Sequence, residues 1–146
     1  SYKGVDLSFM FQFNYGNDVY NATRLYASQT QDQRSNLMAE VADRWTATNA
    51  SNKVPAWDGY IKNEIYSRFI EDGSFLRLKN LMLSYTFPQE WLRKTRFIGG
   101  ARIYAQAQNL FTFTKFTGLD PEGNSNMYQA QYPMARQFTF GLDLTF

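Results

Sequence analysis

Apolar and polar residues alternate with a period of two along four stretches of this chain. In the first stretch, the odd-numbered positions from Val5 to Tyr15 are all apolar or aromatic, and the even-numbered positions between them are polar except for Met10. Successive side chains of a β-strand point to opposite faces, so the pattern collects the apolar residues on one face. It predicts a long strand over about residues 2–16.

The second stretch predicts a strand over about residues 74–88. From Leu81 to Phe87 the odd-numbered positions are apolar or aromatic, whereas the positions from Leu76 to Lys79 fit the alternation less well. This is expected if the first half of the strand projects beyond an apolar layer. Pro88 follows, and because proline cannot donate a hydrogen bond to a neighbouring strand, we expect the strand to end there.

The third stretch predicts a strand over about residues 99–114 with a polar face rich in amides. Its odd-numbered positions from Ala101 to Ala107 are Ala or Ile, and its opposite face carries Arg102, Tyr104, Gln106 and Gln108. After Asn109 the apolar phase shifts through Leu110, Phe111 and Phe113. Such a shift predicts a β-bulge or the exit of the strand from the apolar layer.

The fourth stretch, about residues 136–146, has an apolar residue at every second position and closes on an aromatic residue. The series is Phe138, Phe140, Leu142, Leu144 and Phe146. One apolar face, one polar face and an aromatic end are typical of a strand in the wall of an outer-membrane β-barrel.

The segments between the four strands differ in length. Residues 17–73 and 115–135 read as loops rich in Asn, Asp, Ser and Gly, whereas residues 88–98 read as a short turn. Leu37, Val41 and Trp45 recur at helical spacing and predict one short helix between residues 33 and 45. Long outer connections and short periplasmic turns are typical of bacterial outer-membrane barrels.

The composition limits the function classes that fit. Aromatic residues make up 18% of the chain and charged residues 19%, which suits a lipid-facing wall better than an ordinary solvated surface. No run of about 18 apolar residues is present, so a membrane-spanning helix is not predicted, but barrel strands need only about 9–11 alternating residues. The net charge is +2 and the basic residues are dispersed, so we expect no nucleic-acid partner.

The side-chain chemistry argues against an enzyme. The chain has no Cys and no His, which removes thiol and imidazole catalysis, disulfides and the usual zinc ligands. We expect Glu71 and Asp72, which adjoin Gly73, to accept backbone hydrogen bonds. Asp120 and Glu122 are spaced too closely for an EF-hand calcium loop. The prediction is therefore no enzyme, no cofactor and no metal site.

Alternation alone leaves two fold classes open. The apolar faces either meet lipid in a transmembrane barrel or form the core of a secreted carbohydrate-binding β-sandwich. Three aromatic residues of the long loop, Trp45, Trp57 and Tyr60, either contact a sugar or a partner protein, or close a small core of the loop itself. Phe146 and the asymmetry of the loops favour the barrel.

Several blocks of sequence resemble the SusC/RagA-type TonB-dependent outer-membrane transporters, in the strands at the end of their barrel. The resemblance covers both ends of the chain, in order. The blocks are Tyr2–Leu7, Arg68–Leu81, Leu83–Pro88, Ala101–Phe111, Gly118–Glu122, the pair Tyr132 and Pro133 with Arg136, and the pair Gly141 and Leu142.

The resemblance implies an all-β fold, namely a transmembrane antiparallel barrel of about 22 strands of which this chain supplies the last four. It implies an importer of oligosaccharides or peptides in the outer membrane of a Gram-negative cell. A SusD-like lipoprotein would cover its outer face, and the TonB complex would energise it through parts that this chain does not contain, as it also lacks the plug domain.

The resemblance also implies roles for individual residues. Arg102, Tyr104, Gln106 and Gln108 would face the lumen and pack against the plug or line the substrate route. Trp45, Trp57 and Tyr60 would contact the lid or the ligand. The apolar residues of the last strand, Phe138, Phe140, Leu142, Leu144 and Phe146, would be recognised by the barrel-assembly machinery before they meet the lipid.

Overall fold

β-strands dominate the computed structural model, which describes residues 2–28, 36–51, 53–56, 65–93, 97–123, 125–129 and 131–146. The strands are β1 (Val5–Asn14), β2 (Asp18–Asn21), β3 (Ile70–Asp72), β4 (Phe75–Thr86), β5 (Gly100–Thr114), β6 (Met127–Tyr128) and β7 (Gln137–Thr145). The α-helices are α1 (Ala22–Ser28) and α2 (Gln89–Leu92), and 3-10 helices span Ala39–Asp43 and Ser67–Phe69. In the part of the chain that the structure describes, no helix has the length and apolarity needed to cross a membrane.

The chain divides into two compact units, which we name the strand unit and the loop unit. The strand unit comprises Ser1–Tyr15, Ser74–Lys115 and Pro133–Phe146, and the loop unit comprises Gly16–Gly73 and Phe116–Tyr132. The four long strands β1, β4, β5 and β7 belong to the strand unit, and the short strands β2, β3 and β6 belong to the loop unit.

The strand unit is one antiparallel sheet in the order β1-β4-β5-β7. Residues with the same side-chain chemistry meet across neighbouring strands, as where Leu83 pairs with Leu7 on one side and with Ala105 on the other. Because paired residues share a face, the apolar positions of all four strands gather on one side of the sheet. The prediction of mostly antiparallel β-structure with few helices is confirmed.

A β-bulge interrupts the sheet at one level and explains the shift of the apolar phase. The register between β1 and β4 skips Lys79, since Phe11 pairs with Leu78 while Met10 pairs with Asn80. The same irregularity recurs between β4 and β5, where Asn109 adopts a left-handed φ of 53°. Because of the extra residue, Leu76 and Leu78 lie on the apolar face. With a strict period of two they would lie on the polar face.

The apolar face of the sheet is exposed along its length. Phe9 is 62% exposed, Leu83 is 51% exposed and Leu142 is 58% exposed. In a β-sandwich these residues would be covered by a second sheet. No second sheet covers them among the described residues, so the sandwich reading is not supported.

Below the end of β4, three aromatic rings pack against one another. The chain leaves β4 at Thr86, and Pro88 with φ of −59° precedes α2. The rings of Tyr85 and Phe87 meet edge to face at 5.1 Å, and those of Phe87 and Trp91 lie 6.4 Å apart. Proline at the start of this turn both ends the strand and permits the helical turn that brings Trp91 back.

The loop unit has its own small sheet and core. Its strands lie in the order β3-β2-β6, with β2 antiparallel to β3 and parallel to β6. Val19, Phe116 and Tyr128 form a buried cluster, in which the rings of Phe116 and Tyr128 pack edge to face at 5.1 Å. The two segments of this unit are therefore held together by burial of apolar side chains.

The helix predicted between residues 33 and 45 is present only as a short 3-10 turn in the described part of this segment. Where this segment is described, only Ala39–Asp43 is helical, and as a 3-10 turn. Arg44 is extended, and the N–H of Trp45 donates to the carbonyl oxygen of Val54 at 3.0 Å. The hydrogen bond of Trp45 to Val54 takes the place of the next helical hydrogen bond. Tertiary context commonly overrides a local preference for helix.

The glycine in the last strand is covered by a tyrosine from its neighbour. Gly141 pairs with Tyr104 across β5 and β7. A Cβ atom built on Gly141 would overlap the far end of the Tyr104 ring, so the ring lies where a side chain at position 141 would stand. The aromatic ring thus shields a strand position that lacks a side chain of its own.

We expect the effect of replacing Gly141 to change sign with Tyr104. In the wild type, Gly141→Val should destabilise the full-length barrel by about 1–3 kcal/mol, since the ring is expelled. In a Tyr104→Ala background the same substitution should stabilise it, because valine favours strands. Urea unfolding in detergent measures both. Gly100→Ala is the matched control, since its Cβ would meet only ordinary contacts at 3.6 Å; destabilisation in both backgrounds would contradict the packing argument.

Candidate functional surfaces

The polar side chains of β5 form a continuous row on the face opposite the apolar one. Arg102, Tyr104, Gln106 and Gln108 occupy alternate positions of this strand. The Nη2 atom of Arg102 donates to the hydroxyl of Ser84 at 3.0 Å, and the amide of Gln106 donates to Asn80 at 3.1 Å. These contacts tie β5 to β4 through side chains as well as backbone. The row is thus a fixed polar surface rather than a set of free side chains.

Arg102 retains an unused donor on this surface. Its Nε atom is buried and has no hydrogen-bond partner among the described residues. Its cross-strand neighbour on β7 is Asp143, which carries the opposite charge. A buried guanidinium donor without an acceptor is costly, so this position is suited to an acceptor supplied from outside this chain.

Arg77 is a buried charged residue of the polar face. It is 3% exposed, and its Nε atom donates to the hydroxyl of Thr112 at 2.9 Å. Its guanidinium lies 5.7 Å from the ring centroid of Phe75, which is also buried. The sequence pattern had not singled out Arg77, since a lone Arg in the irregular half of a strand gives no signal of burial.

The apolar residues of β7 remain uncovered within the chain. Phe140 is 78% exposed and Phe146 is 87% exposed. The series that we expected to carry the assembly signal consists of Phe138, Phe140, Leu142, Leu144 and Phe146, and all five are exposed. β7 is also an edge of the sheet, because it pairs only with β5.

The three loop aromatics have different outcomes. Trp45 is 47% exposed and is not part of the buried cluster of the loop unit. Its ring is half covered, so a contact with a partner or a ligand stays a prediction. Trp57 and Tyr60 lie outside the described residues.

A polar network centred on Glu71 joins the two segments of the loop unit. One carboxylate oxygen of Glu71 accepts the backbone N–H of Thr117 at 2.9 Å, and the hydroxyl of Thr117 lies 2.7 Å from both oxygens. Arg24 and Asn21, which lie in the same segment as Glu71, also donate to its carboxylate, at 3.1 Å and 3.2 Å. The expectation that Glu71 accepts a backbone hydrogen bond is confirmed, although the residue lies in β3 and not in a turn.

Arg24 extends this network to the 3-10 helix. Its Nη2 and Nε atoms donate to the two oxygens of Glu40 at 2.6 and 3.0 Å, a bidentate contact. The hydroxyl of Ser28 also donates to Glu40, and Arg68 lies 3.8 Å from the same carboxylate. One guanidinium thus bridges two carboxylates from segments that are far apart in the sequence.

The network holds the pKa of both carboxyls below the ordinary value. For Glu40, the hydrogen bond from Arg24 lowers the pKa and outweighs the opposing effect of burial. For Glu71, burial raises the pKa, but hydrogen bonds from Thr117, Arg24 and Asn21 together reverse that effect. The same contacts, led by the hydrogen bond to Glu40, raise the pKa of Arg24. All three groups are therefore charged at neutral pH.

Sequence reasoning missed this network because its members are separated by long stretches of chain. One local signal was available. Asn21 caps α1, since its side-chain oxygen accepts the backbone N–H of Arg24 at 2.9 Å. Asn before a short helical run is a preferred N-cap, so the stretch from Asn21 identifies a helix start that the 3.6-residue pattern alone did not reveal.

The described residues offer structural carboxylates rather than a reactive centre. Asp120 is buried, and its Oδ1 atom accepts the backbone N–H of Glu122 at 2.9 Å, which fixes the turn. Where the chain is described, no group of three or more acidic or other metal-binding side chains is close enough to hold a metal ion. The arrangement supports walls, loops and binding surfaces.

The chain is similar in sequence to curated outer-membrane receptors. It is 35% identical to TonB-dependent receptor P3 of Formosa agariphila over 99% of its own length, and 33% identical to the TonB-dependent receptor SusC of Bacteroides thetaiotaomicron, also over 99%. It spans 15% and 14% of the lengths of these two relatives. No family model matches the chain.

The chain is also similar to solved transporter structures. It matches the structure of the RagAB peptide transporter with a TM-score of 0.89 and 34% identity, over all of this chain and 16% of that one. It matches the RagAB peptide importer in the "open-open" state with a TM-score of 0.82 and 34% identity, over the same shares. The agreement in both sequence and backbone covers the whole of this chain.

We expect Glu71→Ala to weaken the contact between the two segments of the loop unit. Removal of the carboxylate leaves the backbone N–H and the hydroxyl of Thr117 without this acceptor, at a cost on the order of 2 kcal/mol. Hydrogen exchange of the full-length protein should show faster exchange in residues 116–123. Asp43→Asn, which removes a charge from an exposed local contact to Asn49, should leave that exchange unchanged. Equal exchange in wild type and Glu71→Ala would contradict the role of Glu71.

The loop unit should open in acid in a defined direction. Because the folded pKa values of Glu40 and Glu71 lie below the ordinary value of 4.5, their contribution to stability is present above that value and is lost as the pH falls through the lowered values. Hydrogen exchange, corrected for the intrinsic rate, should therefore be constant from pH 7 to about pH 5 and rise below about pH 4.5. In Glu71→Gln this acid dependence should be weaker; an unaltered profile would contradict the assignment.

Proposed function

The chain belongs to the SusC/RagA-type TonB-dependent receptors, and we propose that it forms the last four of about 22 strands in the barrel of an outer-membrane importer. One observation carries the proposal: the large apolar side chains on one face of β1, β4, β5 and β7, such as Phe9, Leu83 and Phe140, are exposed. Such a face is stable against hydrocarbon and unfavourable in water.

The edges of the sheet support the same reading. Among the described strands, β1 and β7 each pair with one neighbour, so each has a row of backbone N–H and C=O groups on its other side. In hydrocarbon every such group that lacks a partner costs several kcal/mol, so an open sheet does not persist there. Further strands of the full-length protein complete the barrel on both sides.

The polar face is then the lumen face. Arg102, Tyr104, Gln106 and Gln108 point into the barrel, where the plug domain lies in this family. The side chains of Arg102 and Gln106 are already engaged with Ser84 and Asn80, so they stabilise the wall. The unused Nε donor of Arg102 is the position from which this wall would bind the plug.

The loop unit is the outer part of the segment, where a SusD-like lipoprotein would cover the transporter. Trp45 presents a half-exposed ring on this unit and is our choice for a contact with that lid, together with Trp57 and Tyr60. The Glu71 network keeps the two outer segments together, so the lid would meet one preformed surface. TonB would act through parts of the protein that lie outside this chain.

The cargo is a peptide or an oligosaccharide, and we favour a peptide. One of the similar structures is a peptide transporter, RagAB, at 34% identity over all of this chain. The resemblance to the SusC/RagA-type transporters keeps the oligosaccharide alternative open. Capture under the lid would be followed by movement of the plug, which opens a path along the lumen face.

The exposed face of β7 also suits the assembly of the barrel. Phe138, Phe140, Leu142, Leu144 and Phe146 present an apolar row beside a free strand edge. The barrel-assembly machinery would bind both features by adding this strand to one of its own. The same residues then pass to the lipid when the barrel closes.

We expect one charge on the apolar face to separate a lipid-facing sheet from a soluble one. Leu83→Arg should cost about 2–4 kcal/mol if its position lies near the bilayer centre, and should lower the yield of folded full-length protein in the outer membrane. Thr139→Arg, on the polar face of β7, is the control and should be tolerated. The readout is the heat-sensitive shift of folded barrels on a gel. If Leu83→Arg folds normally, or improves solubility without detergent, the secreted β-sandwich is favoured and the proposal fails.

A further inference from the structure

The apolar face of the strand unit contains an open groove of about 560 Å³. It lies between two successive rows of apolar side chains, each of which crosses the paired strands. Its floor is backbone, because Ser84 and Tyr104 direct their side chains to the polar face and Gly141 has none. The side chains that line it are Val5, Leu83, Tyr85, Ile103, Ala105 and Phe140. We name this space the apolar groove.

The dimensions of the apolar groove fit one hydrocarbon chain. Successive residues on one face of a strand are about 7 Å apart, so the two rows leave room for a single extended chain, whereas a helix is about 10 Å wide. Ala105 widens the groove, because its methyl group stands between the larger side chains of Leu83 and Phe140, which pair with it. From Val5 to Phe140 the groove crosses three strand spacings, about 14 Å in all, which is close to the ~15 Å of hydrocarbon in one leaflet.

One end of the apolar groove opens at the end of the sheet that the proposed function places in the periplasm. Val5 is the first residue of β1, and Tyr85 is the last but one of β4. Tyr85 also begins the group of packed rings with Phe87 and Trp91, of which Trp91 is 61% exposed. Tyrosine and tryptophan are enriched at the depth where hydrocarbon meets the headgroups. This end of the groove therefore lies at the level of lipid phosphates.

A tight turn fixes a lysine beside that open end. The N–H groups of Tyr2 and Val5 each donate to the carbonyl oxygen of the other at 2.9 Å. Between them, Lys3 and Gly4 have positive φ angles of 48° and 85°. This is the pattern of a type I′ turn, which favours Asn, Asp and Gly, so Lys3 holds its conformation at a cost. A Cβ atom built on Gly4 would lie 3.4 Å from the ring of Tyr85, so the turn packs against the groove.

The charge of Lys3 is accessible to a ligand. Its ammonium is exposed and lies 5.4 Å from the ring centroid of Tyr2. Among the described residues, no carboxylate forms an ion pair with it. An apolar groove that ends at a fixed cation matches a molecule with a long hydrocarbon chain joined to an anionic group. A peptide or a sugar would place polar groups against walls whose only polar side-chain atom is the Tyr85 hydroxyl, which is unfavourable.

We propose that the apolar groove binds one glycerophospholipid of the periplasmic leaflet, with an acyl chain between the two rows and the phosphate at the Lys3 ammonium. The proposal rests on the proposed function, because only a barrel wall in the membrane meets this lipid. One position on the apolar face then retains a particular lipid molecule, whereas the rest of the face meets lipids that exchange freely.

The test is native mass spectrometry of the delipidated full-length protein in detergent. The protein is titrated with dioleoyl phosphatidylglycerol or with dioleoylglycerol, which has the same chains and no phosphate. Wild-type protein should bind the first phosphatidylglycerol molecule more tightly than further ones and more tightly than dioleoylglycerol. Ala105→Phe should weaken the binding of both lipids about tenfold, since about two methylene groups leave the groove. Lys3→Gln should weaken phosphatidylglycerol alone, about fivefold, the effect of one basic residue near an anionic surface. Lys3→Arg should retain the wild-type preference.

The chain offers a matched control for each variant. Ala107→Phe makes the same change two positions along the same face of β5, outside the groove lining. Lys115→Gln removes the charge of another exposed lysine, which follows the other end of β5. Both controls should leave the two affinities unchanged.

Three outcomes would overturn the proposal. Equal binding in wild type and Ala105→Phe would reveal a general lipid shell only, and an equal loss of both lipids in Lys3→Gln would remove the role of the phosphate. A dimer that Ala105→Phe dissociates would assign the groove to a second copy of the chain. The heat-sensitive gel shift separates this proposal from the proposed function. A folded barrel without a preferred lipid refutes the site and leaves the importer wall intact, whereas a protein that is soluble without detergent refutes both.

Discussion

The unpaired backbone of the two outermost strands is the constraint on which the rest of the structure depends. Among the described residues, β1 and β7 each pair along one side of their backbone, and the other side carries donors and acceptors that need further partners. The exposed apolar face is the second part of this constraint. In the function proposed above, lipid covers that face and further strands pair with both edges, which closes the sheet into a barrel. The curated relatives, of which this chain spans about 15% of the length, have room for the missing strands.

Local periodicity predicted the long strands of the strand unit well, because the alternation that identifies each strand lies within the residues of that strand. Alternation requires only that neighbouring positions differ in polarity, and it does not depend on what lies elsewhere in the chain. The phase shift after Asn109 was readable for the same reason. The sequence did not show that this irregularity lies beside the one at Lys79 in the neighbouring strand. In the sequence the two positions are separate departures from the alternation, whereas in the sheet they are adjacent.

The loop unit resisted prediction for the opposite reason. Glu71 meets Arg24 and Thr117, which are 47 and 46 positions away in the sequence, so no window of neighbouring residues contains the interaction. Leu37, Val41 and Trp45 showed helical spacing, but the bridge between Trp45 and Val54 has a partner from a separate segment. When side chains that are distant in the sequence stabilise a loop, the composition predicts that the segment is a loop. Only the three-dimensional structure shows which side chains hold it in place. The apolar and polar faces of the long strands were predictable, whereas the side-chain network of the loop unit was not.

The bulge at Lys79 has a consequence for how this segment tolerates changes in length. One additional residue in β4 already sets which side chains face outward on either side of it. A single insertion or deletion between Lys79 and Pro88 would exchange the two faces over half the strand, so that leucines would lie on the polar face and polar side chains on the apolar face. An insertion or deletion near Thr48, which lies in an exposed turn, would not exchange two faces of a strand. We therefore expect natural variants of this segment to differ in length in the loops and to keep the strands at constant length. Inserted epitope tags should likewise be tolerated in the loops.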